Sequence, residues 1–211
     1  MKNWIFIILF GLVSNSFGQK FDRFSNDEKE LIQNNSSEMM RVYQRTNSSD
    51  SLVLKSKSTL INPTHNLTRI LAERMLLSVQ NDGGVGIAAP QVGINRRMIL
   101  VQRFDKPEKP FELFINPEII WASDLMQKGP EGDLSFDERG FVMRHYAIQI
   151  QYQNLEGKSI SEILEGFTAV IFQHERDHLD GILLTDRIDE QKLIEYKPAG
   201  TNSDLYFKQN S

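Results

Sequence analysis

His174 and His178 stand four residues apart with Glu175 beside the first, in the run Phe172-Gln173-His174-Glu175-Arg176-Asp177-His178-Leu179-Asp180-Gly181. On an α-helix, positions four apart share one face, one turn apart, so the two imidazoles can converge on one point. Imidazole pairs at this spacing hold zinc-type metals, and the carboxylate between them can move the proton of a water at the metal. Two of the four histidines of the chain sit here. The competing reading is an amphipathic helix that carries both histidines on its wet face. What separates the two is whether the chain supplies the rest of a hydrolytic centre.

Such a centre needs three protein ligands and one open position, and the helix gives two. Downstream of Gly181 stand Asp186, Asp189, Glu190, Glu195 and Asp204 but no histidine, which removes the pattern with a third histidine after the helix. A zincin endopeptidase takes its third ligand from a later helix, and Asp189, Glu190 or Glu195 could only be forced into that role. Two upstream stretches carry other chemistry. Gly84-Val85-Gly86-Ile87-Ala88-Ala89-Pro90-Gln91-Val92-Gly93 crowds small residues around one carboxamide. So little bulk lets backbone approach a ligand closely and lets Gln91 donate to a developing oxyanion. Glu131-Gly132-Asp133-Leu134-Ser135 reads as a second compact turn, between Gly129-Pro130 and Asp137-Glu138-Arg139-Gly140. Taken singly, each stretch also fits an ordinary surface turn.

The elements that must position these residues follow from periodicity. The largely apolar run from Gly166 to Ile171 predicts a helix that starts at Glu165 or Gly166 and stops near Gly181. Asn66 to Val79 has apolar residues at 67, 70, 71, 75 and 76, a helical spacing, with Asn66 as N-cap and Asn81-Asp82-Gly83-Gly84 as the stop. Met98 to Gln102 and Phe111 to Asn116 read as buried strands, the second ended by Pro117; Ala147 to Tyr152 alternates with period two, and Asn154 to Lys158 turns into a strand over Ser159 to Leu164. Ser51 to Leu60 reads as extended, and Phe21 to Asp50 as a polar extension lying on the surface, with a short helix over Asp27 to Gln33 opening at Asn26. Strands and helices without βαβ alternation predict α+β architecture, with mixed or antiparallel sheets around a central helix that carries the H-E-x-x-H.

Composition excludes some partners. At 211 residues, with 40% hydrophobic and 25% charged residues, the chain can bury one sizeable core. A net charge of −4 gives no electrostatic reason to expect nucleic acid. Met1-Lys2-Asn3, the apolar run Trp4 to Val13, and small residues at Ser16 and Gly18 have the form of a secretory leader over residues 1–18, cleaved before Gln19. The apolar run falls short of the ~20 residues that span a bilayer, and the cysteine count is zero, so neither a stable membrane anchor nor a lipid-modified cysteine is expected. The expected location is periplasmic or extracellular. The resulting plan is leader 1–18, polar extension 19–50, main domain 51–190 and tail 191–211.

In their order, G-x-G-x-A-A-P-Q, E-G-x-L-S and Q-H-E-x-D-H-L-x-G resemble the three signature motifs of the peptide deformylases. The likeness runs from about Ser51 to Ile188 and takes in Arg139-Gly140, Val142 and Arg144. It implies a deformylase-like fold and removal of N-formyl, or a related small acyl group, from N-blocked peptides. It implies one divalent metal ion, iron(II) or zinc, held by Asp133, His174 and His178. Glu175 becomes the general acid/base, and Gln91 with the Leu134 backbone N–H becomes the oxyanion site. Val85 and Gly86 are to offer backbone to an extended peptide. Phe167, Val170 and Ile171, on the helix face of His174, are to line an apolar pocket for the first side chain. Glu131 and Arg144 are to pair.

Three departures qualify the resemblance. At Asp133 the family has cysteine. A carboxylate keeps the negative charge but is a harder donor, so metal retention falls, manganese also becomes a candidate, and the site cannot be oxidised as a thiolate can. Phe136-Asp137-Glu138-Arg139 is one residue shorter than the family pattern and lacks its proline, at a loop bordering the site. The tail from Gln191 mixes Lys192, Lys197 and Lys208 with Glu195 and Asp204, unlike the basic helix with which bacterial members dock on ribosomes, so ribosome docking is not expected. The readings carried forward are an active hydrolase and, as alternative, a degenerate deformylase-like protein that binds peptide or metal without turnover. Two histidines and a carboxylate also describe a non-haem iron oxygenase, but Glu175 and Gln91 are hydrolytic equipment.

Overall fold

The structure, a computed structural model, describes residues 21–209. The leader read over residues 1–18 lies outside the described residues. Helix α1 spans Asn26–Gln33, α2 Ser48–Leu54 and α3 Asn66–Asn81. Strand β1 (Gly86–Ala88) runs into a 3-10 turn, Ala89–Val92, and is followed by β2 (Met98–Gln102), β3 (Phe111–Ala122), β4 (Leu125–Asp133), β5 (Phe136–His145), β6 (Ala147–Gln153) and β7 (Ser159–Glu165). Then come α4 (Gly166–Leu179), α5 (Leu184–Gln191), β8 (Tyr196–Pro198) and β9 (Leu205–Lys208). One sheet has the order β1-β2-β3-β6-β7 and the other β5-β4-β9-β8; every strand pair in both is antiparallel. This is the expected α+β class, with the sheets antiparallel.

Helix α4 is the axis of the molecule. It packs on β1, β2, β6 and β7 of the first sheet and on β5 of the second, so it is buried nearly all round. Phe172, fully buried, meets the Phe114 ring edge-on at 5.3 Å, a burial worth about 1.5–3 kcal/mol. The helix ends where Gly181 turns left-handed, at φ +71; a Cβ there would lie 2.4 Å from the Lys55 carbonyl oxygen. Helix α3 places Leu67, Leu71, Met75 and Val79 along one face, in the core with Ile87 and Met98. Its N-cap is His65 rather than Asn66: the His65 Nδ1 accepts from the Leu67 N–H at 3.1 Å.

Several expectations need correction. Residues 21–50 are not laid over the surface, because Phe24, Ile32 and Met40 are buried in the α3 core and Asp50 is buried beneath Arg41. The proposed boundary at Ser51 falls inside α2. That helix replaces the extended run expected from Ser51: the Asn47 side chain caps it by accepting from the N–H groups of Ser49 and Asp50, and Leu54 is buried. Strand β3 does not stop at Pro117. A register shift lies between Ile115 and Glu118, with Asn116 at φ +51, and bulges of this kind tolerate proline. The Asn116 carboxamide bonds both backbone groups of Ile61, at 3.0 and 2.9 Å, and so takes the place of a strand partner. Glu131 to Asp133 is the end of a long strand rather than a turn, and only Leu134-Ser135 turns. The tail is integrated too, since β9 pairs with β4 at Met126↔Tyr206. Among the described residues no helix is long and apolar enough to cross a membrane.

One charged cluster ties the first sheet to α4. Arg103, 2% exposed, reaches Asp105, Glu112 and Glu162. Its guanidinium, bonded to both Asp105 oxygens at 2.9 and 2.7 Å, outweighs burial and, helped by the Thr168 hydroxyl, holds Asp105 from 3.8 down to about 2. A carboxyl whose folded value is depressed gives stability that is complete above its unfolded value and is lost as pH falls through the folded one. Asp105→Asn is therefore expected to destabilise the protein at neutral pH, with the gap to the parent closing between about pH 4 and pH 2. Urea midpoints across that range check it; a constant gap contradicts it.

Candidate active site

The H-E-x-x-H face of α4 looks onto the tip of the β4–β5 hairpin. Asp133 Oδ2 lies 3.1 Å from His178 Nε2 and 3.6 Å from His174 Nε2, and ligand atoms of all three residues fall within 4.8 Å of one another. Among the described residues this is the one such group, and Asp133 Oδ2 and His178 Nε2 are buried without a hydrogen-bond partner. Buried orphans facing one another are costly unless something joins them. A two-nitrogen, one-oxygen set suits a divalent metal and leaves a position open. The residues fit the ion that the motif implies.

Their electrostatics favour the same occupant. Burial disfavours the charged form of Asp133, but His178 and His174 outweigh it and hold the carboxyl well below the usual range. Burial likewise opposes charging His174, yet Asp133 and Glu131 raise it well above 6.5. The field at this point calls for positive charge, and a proton and a divalent ion compete for it. Glu175 is different. Burial pushes it from 4.5 up to about 7, against the pull of both imidazoles, and its Oε2 is buried without a partner. It stands beside the ligands but outside their group, where a proton carrier belongs.

A relay behind the site fixes His174. Its Nδ1 meets Glu131 Oε2 at 2.9 Å, the orienting carboxylate that metal-binding histidines commonly have. Arg144 grips both Glu131 oxygens at 2.9 Å each and also reaches Asp177, which Arg187 holds from the other side at 2.6 and 2.9 Å. The expected Glu131–Arg144 pair is thus one part of a chain of five side chains, buried except at its outer end, Arg187. Burial works against ionised Glu131, but Arg144 and then His174 hold it at about 2.

Gln91 sits in the 3-10 turn after β1. Its Oε1 accepts from the Ala88 N–H at 2.8 Å, which aims Nε2 at Asp133 Oδ1, 3.1 Å away. Glycine at 86 is required by close approach, since a Cβ there would lie 2.4 Å from Glu175 Oε1. A cavity of about 480 Å³ opens over this group; Val85, Gly86, Leu134, Phe167, Val170 and Ile171 line it together with Gln91, His174 and Glu175. The eleven residues expected to hold metal, carry the chemistry or contact substrate therefore meet at one place. The Val85 carbonyl already accepts from the Gln102 N–H at 2.8 Å, which leaves it one lone pair for a peptide. A larger cavity, about 630 Å³, lies between Arg176, Arg187 and Tyr196. It touches Arg144 and Asp177 but none of the three ligand candidates, so size does not locate the chemistry.

The sequence gives no hint of one supporting segment. The Tyr43 N–H donates to the Gln91 carbonyl at 2.7 Å, Gln44 Nε2 to the Leu134 carbonyl at 3.0 Å, and the Arg45 N–H to the Ser135 carbonyl at 2.9 Å. This strap holds both elements expected to form an oxyanion site, and it works mainly through backbone, so side-chain types carry little signal. Asp177 and Arg187 are also missed; a buried carboxylate between two arginines shows only in three dimensions.

Fold and site define a class: α+β proteins in which a central H-E-x-x-H helix meets a carboxylate carried on a hairpin, beside a glutamine-bearing turn. The polypeptide deformylase family model matches residues 39–193, beginning inside the stretch that reads as an extension. The peptide deformylase of Desulforudis audaxviator is 38% identical over 149 residues, 70% of this chain and 94% of the relative. That of Thermotoga maritima is 38% identical over 146 residues, 69% and 86% of the two chains. The structure of a class I type b peptide deformylase from Acinetobacter baumannii with Met-Ala-Ser bound is similar at TM-score 0.65 and 36% identity, covering 71% of this chain and 99% of that one. The Thermotoga maritima structure gives TM-score 0.63 at 35% identity, covering 71% and 97%. The chain belongs to the peptide deformylase family, hydrolases that remove N-formyl groups from peptides.

Proposed function

We propose that the protein is an exported, metal-dependent deformylase that removes a formyl, or a related small acyl group, from the N-terminus of peptides. The observation that carries this is the meeting of Asp133, His174 and His178 with Glu175 and Gln91 under a peptide-sized cavity. A divalent ion, zinc or iron(II), held by Asp133, His174 and His178 supplies Lewis acidity and a water of lowered pKa. Glu175 takes a proton from the attacking water at its carboxylate and returns it to the leaving amine. Gln91 Nε2 and the Leu134 N–H donate to the oxygen on which charge develops. Phe167, Val170 and Ile171 take the first side chain, and the backbone of Val85 and Gly86 aligns the peptide. Export rests on the leader pattern of residues 1–18 and fits a chain without thiols.

The test joins elemental analysis of the purified protein to hydrolysis of formyl-Met-Ala-Ser with zinc, iron(II) or cobalt restored. One metal per chain and release of the free amine are expected. Full metal loading without hydrolysis by any form overturns the enzyme reading in favour of a peptide- or metal-binding protein. Asp133→Cys is expected to slow metal loss to a chelator; an unchanged rate removes Asp133 from the ligand set. Export predicts an N-terminus at Gln19 in protein recovered outside the cytoplasm, and an intact Met1 there contradicts it.

A further inference from the structure

A carboxylate ligand brings a difficulty that a thiolate does not: it has two oxygens. If both bound the metal, the second would fill the position that hydrolysis needs open. Asp133 has its two oxygens in opposite situations. Oδ1 accepts from the Ser135 N–H at 2.8 Å and from Gln91 Nε2 at 3.1 Å. Oδ2 is buried, has no donor, and faces the Nε2 atoms of His174 and His178. Both donors are themselves fixed. Gln91 is 1% exposed and pinned by the Ala88 N–H on its own oxygen. The Ser135 N–H belongs to the peptide unit whose carbonyl, that of Leu134, accepts from Gln44 at 3.0 Å. The carboxylate cannot rotate to present both oxygens without breaking two buried hydrogen bonds, and two unmet buried donors would be left behind.

We propose that Gln91, together with the Ser135 N–H, is a positioning group that clamps Asp133 Oδ1 so that Asp133 binds metal through Oδ2 alone. Gln91 thereby has two duties. One Nε2 hydrogen holds the ligand, and the other, with Nε2 now 3.4 Å from Ser135 Oγ, is the one left over for a substrate oxygen. The proposal rests on the assignment of Asp133 as a ligand made above, and goes beyond it by saying how an aspartate can occupy the place without closing the site.

The experiment is visible spectroscopy of the cobalt(II) form of the full chain, with X-ray absorption of the zinc form counting ligands. The parent is expected to show the intense bands of four-coordinate cobalt and a single oxygen from Asp133. Gln91→Met keeps the length of the side chain and removes the donor. In it the bands are expected to weaken several-fold and the ligand count to rise by one, as Asp133 swings to bind through both oxygens. Identical spectra in parent and variant overturn the proposal, and so does a two-oxygen carboxylate in the parent, a measurement that needs no variant to fold. Asp133→Ala separates the two layers. Metal retained in that variant removes the ligand assignment itself; metal lost there, with Gln91→Met spectroscopically unchanged, removes only the clamp.

Discussion

Arg144→Met is expected to cost the fold about 3–5 kcal/mol, the loss seen when one partner of a buried ion pair is removed and the other remains. Arg144 is 5% exposed and serves two buried carboxylates at once, Glu131 through both oxygens and Asp177. Their fates differ. Asp177 keeps Arg187 on both of its oxygens. Glu131 keeps only His174 Nδ1, and burial, now unopposed by the guanidinium, drives it to take up a proton. Since ordinary domains are stable by about 5–15 kcal/mol, the loss is a large share of the whole. Chemical denaturation measures it, and a change below about 1 kcal/mol contradicts it, the level of an exposed pair. Adding Glu131→Gln to the variant is expected to restore part of the loss, because the second change removes the charge that the first one stranded. The same double variant leaves His174 without its carboxylate, so stability recovers while metal affinity does not.

The parts of this site that are legible in the sequence are those whose local pattern and chemistry coincide. Helix α4 announces itself through an apolar run, two histidines one turn apart and a glycine stop, and the structure needs nothing else to place it. Strand β4 is the opposite case. Its stretch Lys128-Gly129-Pro130-Glu131-Gly132-Asp133 has the composition of a turn, and it is extended because β5 pairs along it, while β9 pairs with Leu125 to Gln127 just before it. That pairing is non-local, so no window of sequence contains it. Asp133 is consequently invisible as a candidate ligand by spacing and becomes legible only through the order of the three motifs. The polar stretch before Ser51 misleads for a related reason: Phe24, Ile32 and Met40 are too sparse to show a period, yet each finds the core. The 43–45 strap acts mainly through main-chain groups that any residue except proline would supply.

Glu175→Gln is expected to lower kcat by about 10²–10⁴-fold, the usual value of a positioned acid or base, while metal content stays at one per chain. The substitution changes one oxygen for an amide and hardly alters shape, which matters because Gly86 leaves no slack around Oε1. Glutamine can neither take the proton of the attacking water nor hand it to the leaving amine, so the loss falls on kcat rather than on KM. A group that only shaped the pocket, as Ile171 does, would change KM instead. Metal retention decides a second question. Glu175 shares the helix face with His174 and His178 and is buried like them, but it does not fall within the three-residue ligand group. If the ion leaves with Glu175→Gln, the carboxylate is a fourth ligand, no position stays open, and hydrolysis by this centre is lost as an explanation. If the ion stays and turnover persists within about tenfold of the parent, the proton is carried elsewhere. Only loss of kcat with the metal in place assigns the proton to Glu175, a carboxylate whose burial already favours holding one.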